Sequence, residues 1–196
     1  MKIIAISQRV DQYPDRGEAR DSLDQRLTCF AAACGVILTP VPNLLNKYDL
    51  LLPWLYALSP HGIILSGGED MGICIDRDTS EETLLGYAET LKLPVLGICR
   101  GAQVMSVRAG SKIKQIEGHV AVRHRIKGDI NGEVNSFHKN IIAEKPNNFS
   151  VIARGFNEEI EAIQHDYLPW EGWMWHPERE EKFQEEDINR IKNLFS

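Results

Sequence analysis

The chain has 196 residues, 43% hydrophobic and 26% charged, enough for one well-buried core and short for two, so residues 1–196 are expected to form a single domain. With 28 acidic against 22 basic residues the net charge is −6, which argues against a nucleic-acid or membrane-surface binder, because both need a basic face. No apolar run approaches the roughly 20 residues of a spanning helix, and the first eight residues carry too short an apolar run for a signal peptide; a soluble cytoplasmic protein is the expectation.

Apolar strand-like runs alternate with helix-period segments through the first half. A strand at 3–6 precedes a helix with Leu23, Leu27, Phe30, Ala31 and Cys34 on one face, then a strand at 36–41. A helix near 48–58, a strand at 62–65, a helix near 81–91 starting from Ser80, a strand at 94–98 and a helix from about 100 to 109 follow. This rhythm predicts an α/β fold, a mostly parallel central sheet with helices on both faces. Shorter strands near 132–136, 150–153, 159–164 and 173–175 read as antiparallel additions, and Phe183, Ile188, Ile191 and Leu194 mark a closing helix. Cys29 and Cys34 read as small core residues, and the four cysteines as reduced thiols.

The sharpest signal is Val95-Leu96-Gly97-Ile98-Cys99-Arg100-Gly101-Ala102-Gln103, a buried strand running through small-X-Cys-X-small into a helix. This is a nucleophile-elbow pattern whose turn needs small neighbours, Gly97 and Gly101, on both sides. The sulfur then sits at a helix start, where unpaired N–H groups favour negative charge, and the Arg100 amide is placed to donate to an oxyanion.

Met174-Trp175-His176-Pro177-Glu178 supplies a histidine and a carboxylate two residues apart. The residue before proline is held extended, and in an extended segment positions i and i+2 face the same way, so Glu178 can orient His176 as the base for Cys99. The rest of the run Glu178-Arg179-Glu180-Glu181-Lys182 reads as a solvated helix start. Ile63-Ile64-Leu65-Ser66-Gly67-Gly68 is an apolar strand ending in paired glycines, whose turn can present the Gly68 N–H as a second oxyanion donor.

In this order and spacing, the three elements resemble the class I glutamine amidotransferases (a flavodoxin-like fold) and the gamma-glutamyl hydrolases that share that fold. The resemblance implies a thioester mechanism: Cys99 attacks the amide carbon of a gamma-glutamyl substrate, an amine leaves, and water releases glutamate. It further implies substrate contacts from Gly67, from Gln103 on the elbow helix, and from Asn135, Ser136, Phe137 and His138 in Val134-Asn135-Ser136-Phe137-His138. For His138 a structural role stays equally open.

The gamma-glutamyl-GABA type of hydrolase is similar at Gly67-Gly68-Glu69-Asp70 and at the elbow, but is typically longer, and the proline expected soon after Asp70 is replaced by Gly72-Ile73-Cys74. Short hydrolases of capsule phosphoramidate synthesis, acting on gamma-glutamyl-CDP-amidate, are similar in size, in Ser7-Gln8-Arg9, in Glu18-Ala19-Arg20-Asp21-Ser22-Leu23 read as opening the first helix, and in Met174-Trp175-His176. A nucleotide-linked leaving group needs local cations, for which Arg9 and Arg20 are the first choices and Arg16, Arg100, Arg123 and Arg125 the next.

The partner expected is therefore a small gamma-glutamyl substrate, with no nucleic acid and no membrane; a homodimer is left open. A glutaminase subunit feeding ammonia to a synthetase stays as an alternative, and a non-catalytic binding protein comes last. The six histidines read as scattered and the chemistry needs no metal, so neither a metal nor a cofactor is expected.

Overall fold

In the first strand, β1 (Lys2–Ile6), Ile4 and Ile6 enter one apolar cluster of the core and Ala5 the other. Successive side chains of a strand point to opposite faces, and a strand buried on both must be apolar throughout. The computed structural model describes residues 1–196. After β1 come β2 (Arg9–Tyr13), β3 (Glu18–Ser22), α1 (Gln25–Ala33), β4 (Val36–Pro40), α2 (Leu51–Leu58), β5 (Gly62–Leu65), α3 (Ile75–Leu91), β6 (Val95–Ile98) and α4 (Arg100–Arg108). The second half adds β7 (Ile113–Gln115), β8 (Val120–Gly128), β9 (Gly132–Phe137), β10 (Asn140–Ile142), β11 (Phe149–Arg154), β12 (Ile160–His165), β13 (Trp170–Trp173) and α5 (Glu185–Leu194).

The main sheet runs β4-β1-β5-β6-β13-β12-β11-β8-β9. Pairing is parallel from β4 to β13 and antiparallel beyond, so the expected fold class is the one found. Leu27 and Phe30 of α1 and Ile191 of α5 pack on one face with Ile64, Leu96 and Ile98. Leu55, Leu84, Leu85 and Met105 cover the other face, against Ile63, Leu65 and Val95. No helix is long and apolar enough to cross a membrane.

Three readings need correction. Residues 18–22 do not open α1; they form β3, which pairs with β2 as a separate antiparallel hairpin. The run Glu18-Ala19-Arg20-Asp21-Ser22 has no apolar stripe to bury as a helix, and the helix waits for Asp24, whose side chain caps Arg26 N at 2.9 Å. The second correction concerns α3, which starts at Ile75 rather than 81. Its inward face carries Arg77, Ser80 and Glu81, so the helix is buried through a polar network and leaves no apolar period to read there. The third is Cys29, which is exposed: only Cys34 shares the spacing of Leu27, Phe30 and Ala31, and burial pushes its thiol up to about 12.

Candidate active site

Three neighbouring parallel strands end at one edge. Register pairs Leu65 with Gly97 and Ile98 with Trp173, so the residues just beyond β5, β6 and β13 emerge side by side: Ser66-Gly67-Gly68, Cys99, and Met174-Trp175-His176. Such strand-end convergence is where open α/β sheets bind ligands.

Cys99 is a strained joint. Its backbone lies at φ 50° and ψ −103°, a region a side-chain-bearing residue enters only when its surroundings force it. The Cys99 N–H donates to Trp173 O at 2.7 Å, tying the elbow to β13. The close approach of α4 to β5 explains Gly101: a Cβ there would lie 2.2 Å from the Leu65 carbonyl oxygen. Gly97 is equally confined, with Met105 Sδ 2.6 Å from where its Cβ would be.

His176 is buried, with Nδ1 2.7 Å from Glu178 Oε1 and the ring set against the Cys99 side chain. Burial works to lower its pKa; the interactions with Cys99 and Glu178 outweigh it and raise the value to about 9. With Nδ1 turned to Glu178, Nε2 is the nitrogen left for the sulfur. The backbone of His176 is clamped by Asn135: His176 N donates to Asn135 Oδ1 at 3.0 Å, and Asn135 Nδ2 donates to His176 O at 2.7 Å. The same Asn135 Nδ2 reaches Glu180 Oε1 at 2.7 Å. Glu180 is thus buried rather than solvated, with its carboxylate also held by Arg123 at 2.9 and 3.0 Å.

The Ser66-Gly67-Gly68 turn is built on a group that the sequence pattern did not flag. Arg77, fully buried, donates through Nη2 to Ser66 O at 2.8 Å and Gly67 O at 3.0 Å. In a planar trans peptide the N–H points opposite to the C=O, so drawing the Gly67 carbonyl toward Arg77 turns the Gly68 N–H the other way, out of the turn. Neither the Gly68 N–H nor the Arg100 N–H donates to an acceptor within the chain. Gly68 itself sits at φ 147°, with Arg77 Nη1 2.3 Å from where a Cβ would stand.

Arg77 is held in turn by Glu69 at 2.8 Å and Glu81 at 3.0 Å. The Arg100 guanidinium belongs to the same network, paired with Glu81 and Asp78, and is committed there rather than to a ligand phosphate. The signal that could have revealed Arg77 is its i, i+4 spacing to Glu81, opposite charges on one helix face.

The segment expected to bind substrate divides by strand alternation. Asn135 and Phe137 turn to His176, Phe137 meeting the imidazole edge-on at 5.9 Å between ring centres. Ser136 and His138 turn to the opposite side: Ser136 Oγ donates to His119 O at 2.6 Å, and the His138 ring lies 5.2 Å from that of His119. Asn135 therefore positions His176, and Ser136 and His138 lie away from it. Gln103 is buried, its Nε2 donating to Asn140 O at 3.2 Å.

Beside the site a cavity of about 300 Å³ is lined by Arg9, Asp11, Ser66, Gly67, Gly68, His176 and Arg179, between the β2–β3 hairpin and the base. Arg9 is there as expected, paired with Asp11 at 2.8 Å. Arg20 is not: it pairs with Glu18 and lies over the Tyr13 ring at 4.8 Å, on the outside of the hairpin. Arg123 is spent on Glu133 and Glu180. The histidines are not scattered either, since His119, His124 and His138 gather around Glu161.

The arrangement pairs a buried sulfur with an imidazole bound to a carboxylate, next to two free backbone donors. That is the equipment for acyl transfer through a cysteine.

The glutamine amidotransferase class-I family model matches residues 18–194. The glutamine-hydrolyzing GMP synthase subunit of Methanothrix thermoacetophila is 35% identical over 130 residues, covering 60% of this chain and 66% of that protein, slightly under two thirds of its length. Gamma-glutamyl-CDP-amidate hydrolase of Campylobacter jejuni is 31% identical over 190 residues, covering 90% and 92% of the two chains. In structure, a protein of the GMP synthase subunit type from Thermoplasma acidophilum superposes with a TM-score of 0.73 at 18% identity, over 100% of this chain and 92% of that one, a likeness of fold.

Proposed function

The chain belongs to the class I glutamine amidotransferase family, whose members are glutaminases and related amide hydrolases, and from that premise we propose that it hydrolyses a gamma-glutamyl amide through a thioester on Cys99. The observation that carries the reading is the buried His176 imidazole bonded to Glu178 and set against Cys99, beside two unpaired backbone donors.

Cys99 Sγ attacks the side-chain carbonyl carbon of the glutamyl group, and the oxygen takes up negative charge against the N–H groups of Gly68 and Arg100. His176 carries the proton to the departing amine. It then takes a proton from water, which attacks the thioester, releases glutamate and returns Cys99. Glu178 holds the ring and its charge throughout, and Arg77 and Asn135 act as positioning residues.

The amide we propose is gamma-glutamyl-CDP-amidate, hydrolysed to glutamate and cytidine diphosphoramidate. Alignment with the Campylobacter jejuni hydrolase over nearly the full length of both chains supports it; Arg9 and Arg179 on the cavity wall, each beside a carboxylate, would have to turn to the phosphates. The likeness to the Methanothrix GMP synthase subunit favours a second reading, a glutaminase that hands ammonia to a partner.

The test is glutamate release by the purified chain from glutamine, gamma-glutamyl-GABA and gamma-glutamyl-CDP-amidate. Turnover of the nucleotide amidate far above the other two is expected. Preferential turnover of glutamine, or silence on all three, overturns the substrate assignment in favour of the partner-dependent reading.

A further inference from the structure

Outside the candidate active site, three strands bring together a group of residues that the thioester chemistry does not use. His119 lies just before β8, His124 within it, His138 just after β9, and Glu161 on β12. One donor atom each from His119, His124 and Glu161 lie within 4.8 Å of one another. His124 Nε2 is 3.6 Å and His138 Nε2 3.7 Å from the same oxygen, Glu161 Oε1.

Most donor atoms of the group are buried and unpaired. His124 Nε2, both ring nitrogens of His138 and both carboxylate oxygens of Glu161 have no hydrogen-bond partner, and they make up five of the eight such atoms in the molecule. Glu161 is fully buried and His138 nearly so. A bare carboxylate sealed among imidazoles with nothing bonded to it is a costly arrangement unless something fills the space between them.

We propose that His119, His124 and Glu161, with His138 as fourth ligand, bind a divalent transition metal ion of the zinc type. The donor set suits it, because imidazole nitrogen and carboxylate oxygen are borderline ligands that zinc takes in closed four-coordinate sites. The spacing fits at Glu161, while the wider pairs, within 4.8 Å among His119, His124 and Glu161, would draw together on binding. A tetrahedral ion with ligands at roughly 2.0–2.1 Å sets neighbouring donors about 3.4 Å apart, and the two distances to Glu161 exceed that by a few tenths of an ångström.

The outer partners match at two of the three histidines. A metal-bound histidine turns its second nitrogen to a carbonyl or carboxylate, and here His119 Nδ1 is 3.2 Å from Glu117 O and His124 Nδ1 3.4 Å from Arg125 O, leaving Nε2 of each for the ion. Glu159 Oε1, 3.7 Å from His119 Nε2, adds a second negative charge toward the dication.

The ion's place in the fold gives it a structural part. It would staple the β8–β9 hairpin to β12. From β9 Asn135 reaches over to clamp His176, and on β12 Glu161 O accepts the N–H of Met174 at 2.8 Å, two residues before that base.

The full-length chain, stripped with chelator and dialysed against zinc, would be measured for metal content by plasma mass spectrometry, and its cobalt form by visible absorption. About one zinc per chain, a cobalt spectrum of tetrahedral intensity and a melting temperature several degrees above the stripped protein are expected. His124→Ala, at a partly exposed position, and Glu161→Gln should each reduce bound zinc at least tenfold, with His165→Ala, outside the cluster, unchanged. Failure of the wild-type chain to take up zinc or cobalt, or equal uptake by a folded His119→Ala/His124→Ala double variant, overturns the proposal. Metal content and glutamate release are separate readouts, so this site stands or falls apart from the activity.

Discussion

On the parallel side of the sheet, β5, β6 and β13 each deliver their contribution within three residues of the last paired position: Gly67 and Gly68, Cys99, and His176. On the antiparallel side, the group around Glu161 is assembled from β8, β9 and β12, positions 119 to 161 in the chain, and strand alternation splits even adjacent residues between two environments. Strand ends concentrate chemistry into short contiguous motifs, whereas strand faces spread it over distant ones. The two regions meet at Asn135, which belongs to the antiparallel hairpin by position and to the base by contact.

The contrast breaks first at the sulfur. Cys99→Ala should lower glutamate release by about 10⁴-fold or more while circular dichroism and melting stay near those of the wild type, because a small buried side chain is shortened without disturbing the network. A variant with normal kinetics would remove the parallel edge from the account.

Next comes Arg77. Arg77→Met should reduce kcat about tenfold to a hundredfold with KM within about twofold, since the Gly68 donor serves the oxyanion more than the bound amide. It should also cost about 3 kcal/mol of stability, because Glu69 loses its counter-charge and the buried Glu81 keeps only Arg100. A rise in KM at unchanged kcat would assign Arg77 to substrate binding instead.

Asn135→Ala probes the junction of the two regions. It leaves Glu180 and the His176 backbone short of bonds in a buried setting, so a loss of about 2 kcal/mol is expected by chemical denaturation, together with lower kcat. The same base also makes stability depend on pH. His176 has a folded value of about 9 against an unfolded one near 6.5, so its charged form stabilises the fold fully below about pH 6.5, and that contribution disappears as pH rises through 9. Removing Cys99 deletes an interaction that favours the imidazolium, and imidazole NMR of Cys99→Ala should show the His176 pKa moving down. At the bottom of the scale, Arg20→Ala should leave kcat/KM within about twofold, since Arg20 is turned away from the cavity.

Legibility in the sequence follows the same division. The parallel strands announced themselves because burial on both faces demands unbroken apolar runs such as Ile63-Ile64-Leu65 and Val95-Leu96. Helix α3 was half hidden, since the face it buries is Arg77, Ser80 and Glu81 rather than leucine. β2 and β3 were missed because a solvated hairpin has no buried face to impose a period, and β8 because most of its residues are exposed.

At the candidate site, the sequence pattern pointed to Cys99, His176, Glu178 and Gly68 through motifs that read locally. The roles of Asn135, Glu180 and Arg77 depend on which strands lie side by side, as does the convergence of His119, His124 and His138 on Glu161. Four residues separate His119 from His124 and thirteen separate His124 from His138, a spacing that means little until the register of β8 against β9 is known.

The most direct test is to look for the intermediate itself. Wild-type protein mixed with gamma-glutamyl-CDP-amidate, acid-quenched within one turnover and digested, should yield the peptide containing Cys99 heavier by one glutamyl group, and Cys99→Ala should yield none. Sustained glutamate release by the alanine variant, or a glutamyl group carried on any other residue, would contradict the account.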